Sequence, residues 1–348
     1  MVAEKIGIGV IGASGYTGAD LIRLAARHPS IHIRVLTANT HAGKPAHEVF
    51  PHFSSLDLPP LVKNEDADWS GLDAVFCGLP HATSQEVIKA LPRHLKVIDM
   101  SADFRLRDPA VYEKWYGTPH TALELQREAV YGLTEHYRAD IRKGRLIACP
   151  GCYPTAVLLL LLPLVKSGLI DPDDIVIDAK SGVSGAGRSL KQNLLFSEVG
   201  EGLSPYGVAS HRHAPEMEQE ISKAAGRGVV INFTPHLIPM SRGELCTVYA
   251  RLAKGASAES CAEALNAAYD GEPFVHLAPK GIVPSTQFVR GSNNVMLAAY
   301  TDRIAGRVIL VSTLDNLVKG SAGQAIQNFN VLFDLPEKSG LEQVALFP

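Results

Sequence analysis

Residues 9–18 read GVIGASGYTG, with glycines at 9, 12, 15 and 18. The stretch continues the apolar run KIGIGVI (5–11), a short strand, and opens an apolar-periodic helix over about residues 16–27. Strand, glycine turn and helix in that order form the start of a dinucleotide-binding unit. Glycines let the main chain approach a pyrophosphate, whose charge the helix N-terminal N–H groups then meet. The spacing is G-x-x-G-x-x-G, not the commoner G-x-G-x-x-G, so the context carries the reading.

Working outward, IHIRVLT (31–37) reads as a second strand. LDAVFCGL (72–79), LKVIDMS (95–101) and RLIACP (145–150) follow, mostly separated by helical patterns such as SQEVIKALP. Strands alternating with helices predict a parallel sheet covered on both faces. After residue 150 the rhythm changes. A long apolar helix is followed by the strand-like DIVIDAKSG, VVINFTPHLIPM, LCTVYARL, VMLAAYT and RVILVSTL, with few helices between. The fold class expected is α/β: a Rossmann-like NADP-binding domain plus an α+β catalytic domain with a mixed, largely antiparallel sheet. The boundary is placed near residue 149.

The end of the second strand tells which dinucleotide to expect. An NAD site places Asp or Glu about 20 residues past the glycines, on the ribose 2′-hydroxyl. Between Asp20 and Glu48 there is no acidic residue. Thr37 and Lys44, in LTANTHAGK, instead suit a 2′-phosphate, so NADP(H) is expected over NAD.

The chain has 348 residues and a formal net charge of −3, with its 33 basic residues scattered. That balance gives no electrostatic case for nucleic acid or an anionic membrane. No signal peptide is read at the N-terminus. The longest apolar run, AVLLLLLPLV (156–165), is about half of the roughly 20 residues a spanning helix needs, and reads as a buried helix. Five cysteines with one close pair suggest free thiols in a reducing compartment, hence the cytoplasm.

That pair, in ACPGCYPT (148–155), admits three readings. A thioredoxin-like pair does not normally follow some 150 residues of nucleotide-binding pattern. A zinc site needs four ligands, typically with a second cysteine pair, which the isolated Cys77, Cys246 and Cys261 do not supply; no metal is expected. A lone nucleophile fits best. Cys152 stands just ahead of a helix that Pro154 would begin, where the positive end of the helix lowers a thiol pKa. Beside a nicotinamide, such a thiolate can accept an acyl group for reduction as a thioester. Downstream, YGVASHRHAPEME offers His211 and His213, with Tyr206 before them and Glu216 after, as sources of a base.

GASGYTGADLIRL, GLPHATS, IDMSADFRL, PGCYPTA, SGVSGAGR, HRHAPEMEQE, PHLIPMSRGE and KGSAGQAIQNFN occur in that order. Together they resemble the N-acetyl-γ-glutamyl-phosphate reductase family, in its longer size class, within the group of aspartate-semialdehyde and glyceraldehyde-3-phosphate dehydrogenase-like enzymes. The resemblance runs from about residue 5 to the end. It implies NADPH-dependent reduction of an acyl phosphate to a semialdehyde in arginine biosynthesis.

It further implies Cys152 as nucleophile and His211 as base, with His213 and Glu216 at the substrate. The turn Ser14, Gly15, Tyr16, Thr17 and Gly18, with Gly12, would hold the pyrophosphate. Ser181, Ser184 and Gly185 of SGVSGAG, with Pro80 and His81, would lie near nicotinamide and substrate, and Asn316 would be a cofactor contact. Given a substrate carrying a carboxylate and an acyl phosphate, Arg105 and Arg242 are the expected anion contacts, with Tyr206 nearby. The last helix would return to the first domain, giving 1–148 with 315–348, and 149–314 as the catalytic and oligomerisation domain. A dimer or tetramer is expected. The rivals are an aspartate-semialdehyde dehydrogenase, a carrier-protein-linked aminoadipate or glutamate reductase, and a non-catalytic NADP(H)-sensing regulator.

Overall fold

The structure, a computed structural model, describes residues 5–348. The chain forms two compact units. The first holds the described residues up to Pro150 together with Ser321–Glu342, and the second holds Gly151–Gly320 together with Gln343–Pro348.

The first unit is built on seven strands: β1 (Ile6–Ile11), β2 (Ile31–Thr37), β3 (Leu61–Val62), β4 (Ala74–Cys77), β5 (Lys96–Asp99), β6 (Val130–Tyr131) and β7 (Leu146–Ala148). They lie in the order β3-β2-β1-β4-β5-β7-β6, and every pairing is parallel. All four residues of β4 are buried, as a strand covered on both faces requires. The chain runs outward from β1 in one direction, then returns to begin β4 on the other side. That reversal opens a crevice beyond the carboxyl ends of β1 and β4, the usual ligand position in open α/β sheets. The two-residue edge strands β3 and β6 carry no readable alternation, and the sequence gives no sign of them.

The helix Gly323–Leu332 packs on the helices Tyr16–Ala25 and Thr134–Lys143 of this unit. All its residues are buried, four of them amides. Asn328 donates to Gly132 O at 2.8 Å and accepts from Thr134 Oγ1 at 2.8 Å, while Asn330 meets His28 Nε2 at 2.9 Å. Satisfied buried amides of this kind fix where the returning segment docks.

The second unit holds β8 (Ile170–Gly182), β9 (Ser204–Pro205), β10 (Asn232–Ile238), β11 (Glu244–Leu252), β12 (Val275–Leu277), β13 (Val295–Thr301) and β14 (Arg307–Leu314), in the order β12-β13-β14-β11-β8-β10-β9. The pairs β12/β13 and β8/β10 are parallel and the other four antiparallel, which gives the mixed sheet. The helix Cys152–Lys166 packs against β8, β11 and β14 and against the helices Ala214–Ala225 and Ala258–Tyr269. Residues 153–165 are all buried, so its apolar surface is covered all round. Among the described residues no helix is long and apolar enough to cross a membrane.

Two boundaries differ from those expected. The return to the first unit comes at Ser321, not 315, because the Asn316 side chain is bonded to Gly243 and Ser184 of the second unit. The last six residues also belong to the second unit: Leu346 N donates to Arg290 O at 2.8 Å, and Phe347 stacks on Phe288.

Candidate active site

In the first unit the glycine turn leaves β1 at Ile11. Gly12 has φ +82°, and a Cβ there would stand 2.5 Å from Gly78 O. A Cβ on Gly18 would stand 2.4 Å from Gly12 O, whereas one on Gly15 would meet only Gly12 O, at 3.6 Å. Gly12 and Gly18 therefore close the turn, and Gly15 faces open space. Gly15 is the N-cap of Tyr16–Ala25 and supplies no side-chain cap. The first intrahelical acceptor serves Ala19, so the N–H groups of Tyr16, Thr17 and Gly18 have no helical partner. An uncapped helix start beside a glycine opening fits a pyrophosphate.

Thr37 ends β2, and its Oγ1 is buried without a hydrogen-bond partner. Lys44 is exposed just beyond. On the far side of the crevice, Pro80 and His81 are exposed on the loop after β4. Asp103 holds that loop: it accepts from Ala82 N at 2.7 Å, where Ala82 takes φ +63°, and from Ser84 Oγ at 2.7 Å. Asp103 was not legible as a loop anchor from the sequence.

Arg105 is buried. Its Nε donates to Cys149 O at 2.8 Å and one Nη to Met100 O at 3.1 Å, so the guanidinium braces the main chain at the ends of β5 and β7. Cys149 is also buried, its sulfur accepting from Asn328 Nδ2 at 3.5 Å. Burial pushes its thiol up to about 12, well away from an ionised attacker.

In the second unit the helix begins two residues earlier than expected. Gly151 is the N-cap and Cys152 the first helical residue, which leaves Pro154 at the third position. Proline is tolerated there because the first N–H groups have no helical acceptor. Gly151 N donates to Glu216 Oε1 at 2.9 Å, with Glu216 buried. A Cβ on Gly320 would come within 2.7 Å of Cys152 Cβ, so Gly320 lies directly against the thiol-bearing residue. Cys152 is the one cysteine that is not fully buried.

The expected lowering of the Cys152 pKa is not found. Burial raises the thiol well above its ordinary value, and the neighbouring Glu244 carboxylate raises it further. The helix start does not offset these two effects.

Glu244 escaped the sequence reading. It opens β11, is fully buried, and stands in register with Ser181 on β8 and Leu314 on β14. Burial pushes its carboxyl up to about 8, and neither of its oxygens has a hydrogen-bond partner. Its signal was present in GELCTVYA, where Glu244 shares the buried phase with Cys246, Val248 and Ala250. Beyond it, Arg242 pairs with the buried Asp315 at 3.4 Å. Asp315 also accepts from Gly291 N at 2.7 Å and Leu317 N at 2.9 Å. Arg242 is only partly buried.

His211, His213, Tyr206 and Phe233 pack around Tyr153, the residue after Cys152. Tyr206 donates to Tyr153 Oη at 3.3 Å. A Cβ on Gly151 would stand 2.4 Å from His213 Nε2, so His213 lies over the helix start. His211 Nδ1 accepts from His213 N at 3.1 Å, which assigns the neutral ring's proton to Nε2. Burial, with a smaller contribution from Arg212, lowers its pKa to about 4, so His211 is uncharged at neutral pH.

Ser181 is buried with its hydroxyl on Gly182 O, and Ser184 accepts from Asn316 Nδ2 at 3.0 Å. Asn316 Oδ1 in turn accepts from Gly243 N at 2.9 Å. Gly185, exposed, sits over Ser181: a Cβ there would stand 3.1 Å from Ser181 Oγ. Among the described residues no cluster of three or more His, Cys, Asp or Glu side chains is placed to hold a metal ion.

The family model described as semialdehyde dehydrogenase, NAD binding domain, matches residues 7–144, and that described as semialdehyde dehydrogenase, dimerisation domain, matches residues 152–316. The chain is 54% identical to the N-acetyl-γ-glutamyl-phosphate reductase of Rhodospirillum rubrum, with both chains fully covered. It is 53% identical to a probable chloroplastic N-acetyl-γ-glutamyl-phosphate reductase of Arabidopsis thaliana, over 99% of this chain and 86% of that one. Among solved structures it resembles the aspartate semialdehyde dehydrogenase of Candida albicans with NADP (TM-score 0.69, 18% identity, 97% and 99% covered). Aspartate semialdehyde dehydrogenase II of Vibrio cholerae is similar too (TM-score 0.71, 16% identity, 95% and 99% covered). The chain belongs to the N-acetyl-γ-glutamyl-phosphate reductase family, within the wider semialdehyde dehydrogenase group.

Proposed function

We propose that this chain reduces N-acetyl-γ-glutamyl phosphate to N-acetylglutamate 5-semialdehyde, releasing phosphate, with NADPH as reductant and Cys152 as nucleophile. One observation carries the assignment of the nucleophile. Cys152 is the only cysteine not fully buried, and it stands at the first position of a buried helix, next to Tyr153, around which His211 and His213 pack. Full-length relatives at 53–55% identity support the substrate.

The Cys152 sulfur attacks the acyl carbon, phosphate leaves, and a thioester remains on the enzyme. NADPH, when bound, supplies the hydride that reduces that thioester. Collapse of the resulting thiohemiacetal frees the semialdehyde and the sulfur. His211 acts at the carbonyl oxygen: its Nε2–H is a fixed donor beside Tyr153, able to stabilise the developing oxyanion. Arg242 takes an anionic group of the substrate, and Glu216 and His213 hold the helix start from which Cys152 attacks.

The N–H groups of Tyr16, Thr17 and Gly18 would hold the pyrophosphate, and the Thr37 hydroxyl and Lys44 the 2′-phosphate. Asn316 shapes the Ser184 and Gly185 turn through its bond to Ser184. Self-association through the second unit completes the reading, in line with the family description of that region.

The test is the reverse, phosphate-dependent oxidation. N-acetylglutamate semialdehyde should be turned over and aspartate semialdehyde should not. Rapid-quench mass spectrometry should find an acyl adduct on Cys152. Turnover of aspartate semialdehyde alone, or normal turnover with no adduct, overturns the proposal. A preference for NADH of about tenfold or more would overturn the cofactor assignment, since that discrimination is worth about 1.4 kcal/mol.

A further inference from the structure

We propose that Asp103 is a positioning residue for the dinucleotide: its buried carboxyl stabilises the exposed loop 80–83 in the shape that walls the cofactor crevice. The proposal rests on the reading of the first unit as the NADPH site.

The loop follows the carboxyl end of β4, beside the crevice where the strand order reverses. A dinucleotide held by the N–H groups of Tyr16, Thr17 and Gly18 extends along that crevice, past this loop. Pro80, His81, Ala82 and Thr83 are all exposed, so core packing does not dictate their shape. Yet Ala82 takes φ +63°, a left-handed conformation that its Cβ makes costly. A loop left to its own preferences would not adopt it. Strain of this kind is kept where a ligand needs a set shape, and it persists only if neighbouring groups hold it.

Asp103 does the holding. It is wholly buried, and its two oxygens accept four hydrogen bonds. Oδ1 accepts from Ala82 N and from Tyr112 Oη, both at 2.7 Å. Oδ2 accepts from Ser84 Oγ at 2.7 Å and from Ser84 N at 3.2 Å. The helix Ser84–Ala90 receives no side-chain cap from its own N-cap residue, Thr83, so Asp103 caps it from another segment. The strained residue and the helix start that follows it are thus tied to one carboxyl.

That carboxyl is itself fixed. Tyr112 Oη accepts from Gln85 Nε2 at 2.9 Å, and Gln85 Oε1 accepts from Thr121 N at 2.6 Å. Tyr112 also stacks on Tyr116 with ring centroids 4.6 Å apart, and Tyr116 meets the His81 ring at 5.8 Å. The scaffold around Asp103 therefore reaches the loop at a second point. A wall shaped beforehand spares a ligand the entropy of ordering it, so its loss falls on cofactor affinity before it falls on the chemistry.

The experiment compares NADPH binding, by fluorescence titration, in the native protein, Asp103→Ala and Ala82→Val. Asp103→Ala should weaken NADPH about tenfold or more, while KM for the acyl phosphate at saturating NADPH stays within about twofold. Ala82→Val changes an exposed position and leaves Asp103 in place, which safeguards folding. A β-branched residue does not take the left-handed conformation, so this variant should also lose about tenfold. Ala82→Gly added to Asp103→Ala removes the cost of that conformation and should recover about threefold or more. Without nucleotide, hydrogen exchange over residues 79–84 should be faster in Asp103→Ala and in Ala82→Val than in the native protein.

NADPH affinity within about twofold of native in Ala82→Val, or in folded Asp103→Ala, overturns the proposal. So does hydrogen exchange that matches the native protein in both variants. A loss in Asp103→Ala that Ala82→Gly leaves undiminished assigns Asp103 to the fold alone, and overturns it as well. A native protein that binds NADH more tightly than NADPH would instead correct the cofactor, and the same comparison made with NADH then decides the role of Asp103.

Discussion

The Gly151 N–H donates to Glu216 Oε1 at 2.9 Å, so a carboxylate from another helix secures the residue immediately before Cys152. The bond is buried, and it settles an N-cap that glycine cannot settle with its own side chain. Glu216→Ala leaves this N–H unsatisfied and should cost about 1–3 kcal/mol of stability in denaturant titration, with a lower kcat. Glu216→Gln keeps an acceptor oxygen and should recover most of the stability. Equal loss in both variants would show that the charge, not the bond, matters.

Cys152→Ser should abolish turnover while NADPH still binds, since the pyrophosphate turn belongs to the other end of the chain. Stopped-flow absorbance and fluorescence titration measure the two halves. A hydroxyl cannot form the thioester, so activity near native would discredit the sulfur as attacker.

His211→Ala should lower kcat by about 10²–10³-fold, the usual effect of losing one oxyanion donor. A change below about threefold would assign that work elsewhere. The same residue predicts a pH effect on stability. Its pKa falls from 6.5 in the unfolded chain to about 4 in the fold. The unfolded chain therefore takes up a proton first, and the stability that His211 contributes above pH 6.5 is lost as pH falls toward 4. Melting temperatures between pH 7 and 4.5 should drop less steeply in His211→Ala than in the native protein.

Gly320→Ala would push a methyl group to within 2.7 Å of Cys152 Cβ. The backbone is not at fault, because Gly320 does not need a positive φ. The expected result is a folded protein, by circular dichroism, whose kcat falls about tenfold or more as the sulfur is displaced. Unchanged kinetics would mean that the turn yields before the helix does.

Much of the fold was legible because it rests on local patterns. GVIGASGYTG gave strand, turn and helix, and the change of rhythm after residue 150 separated the parallel sheet from the mixed one. Cys152, His211, His213, Tyr206 and Glu216 do gather in one place, because HRHAPE leads directly into the helix that packs on Cys152–Lys166. The site's charge balance was less legible. A helix start predicts an acidic thiol, but burial and Glu244 oppose it, and neither is a local property of ACPGCYPT. Arg105 looked like an anion contact because sequence does not reveal that main-chain carbonyls of Met100 and Cys149 already take its donors. Glu244 and Asp315 were missed for a related reason. An acid at the end of an apolar strand usually reads as solvated, and only the alternation places Glu244 inward.

The helix Cys152–Lys166 is buried from Tyr153 through Val165, directly behind its first residue. An end that cannot fray by itself ties the sulfur's geometry to the cooperative unfolding of everything around it. On heating, inactivation and loss of the near-ultraviolet dichroism should therefore follow one curve, with no inactive but native-looking species preceding it.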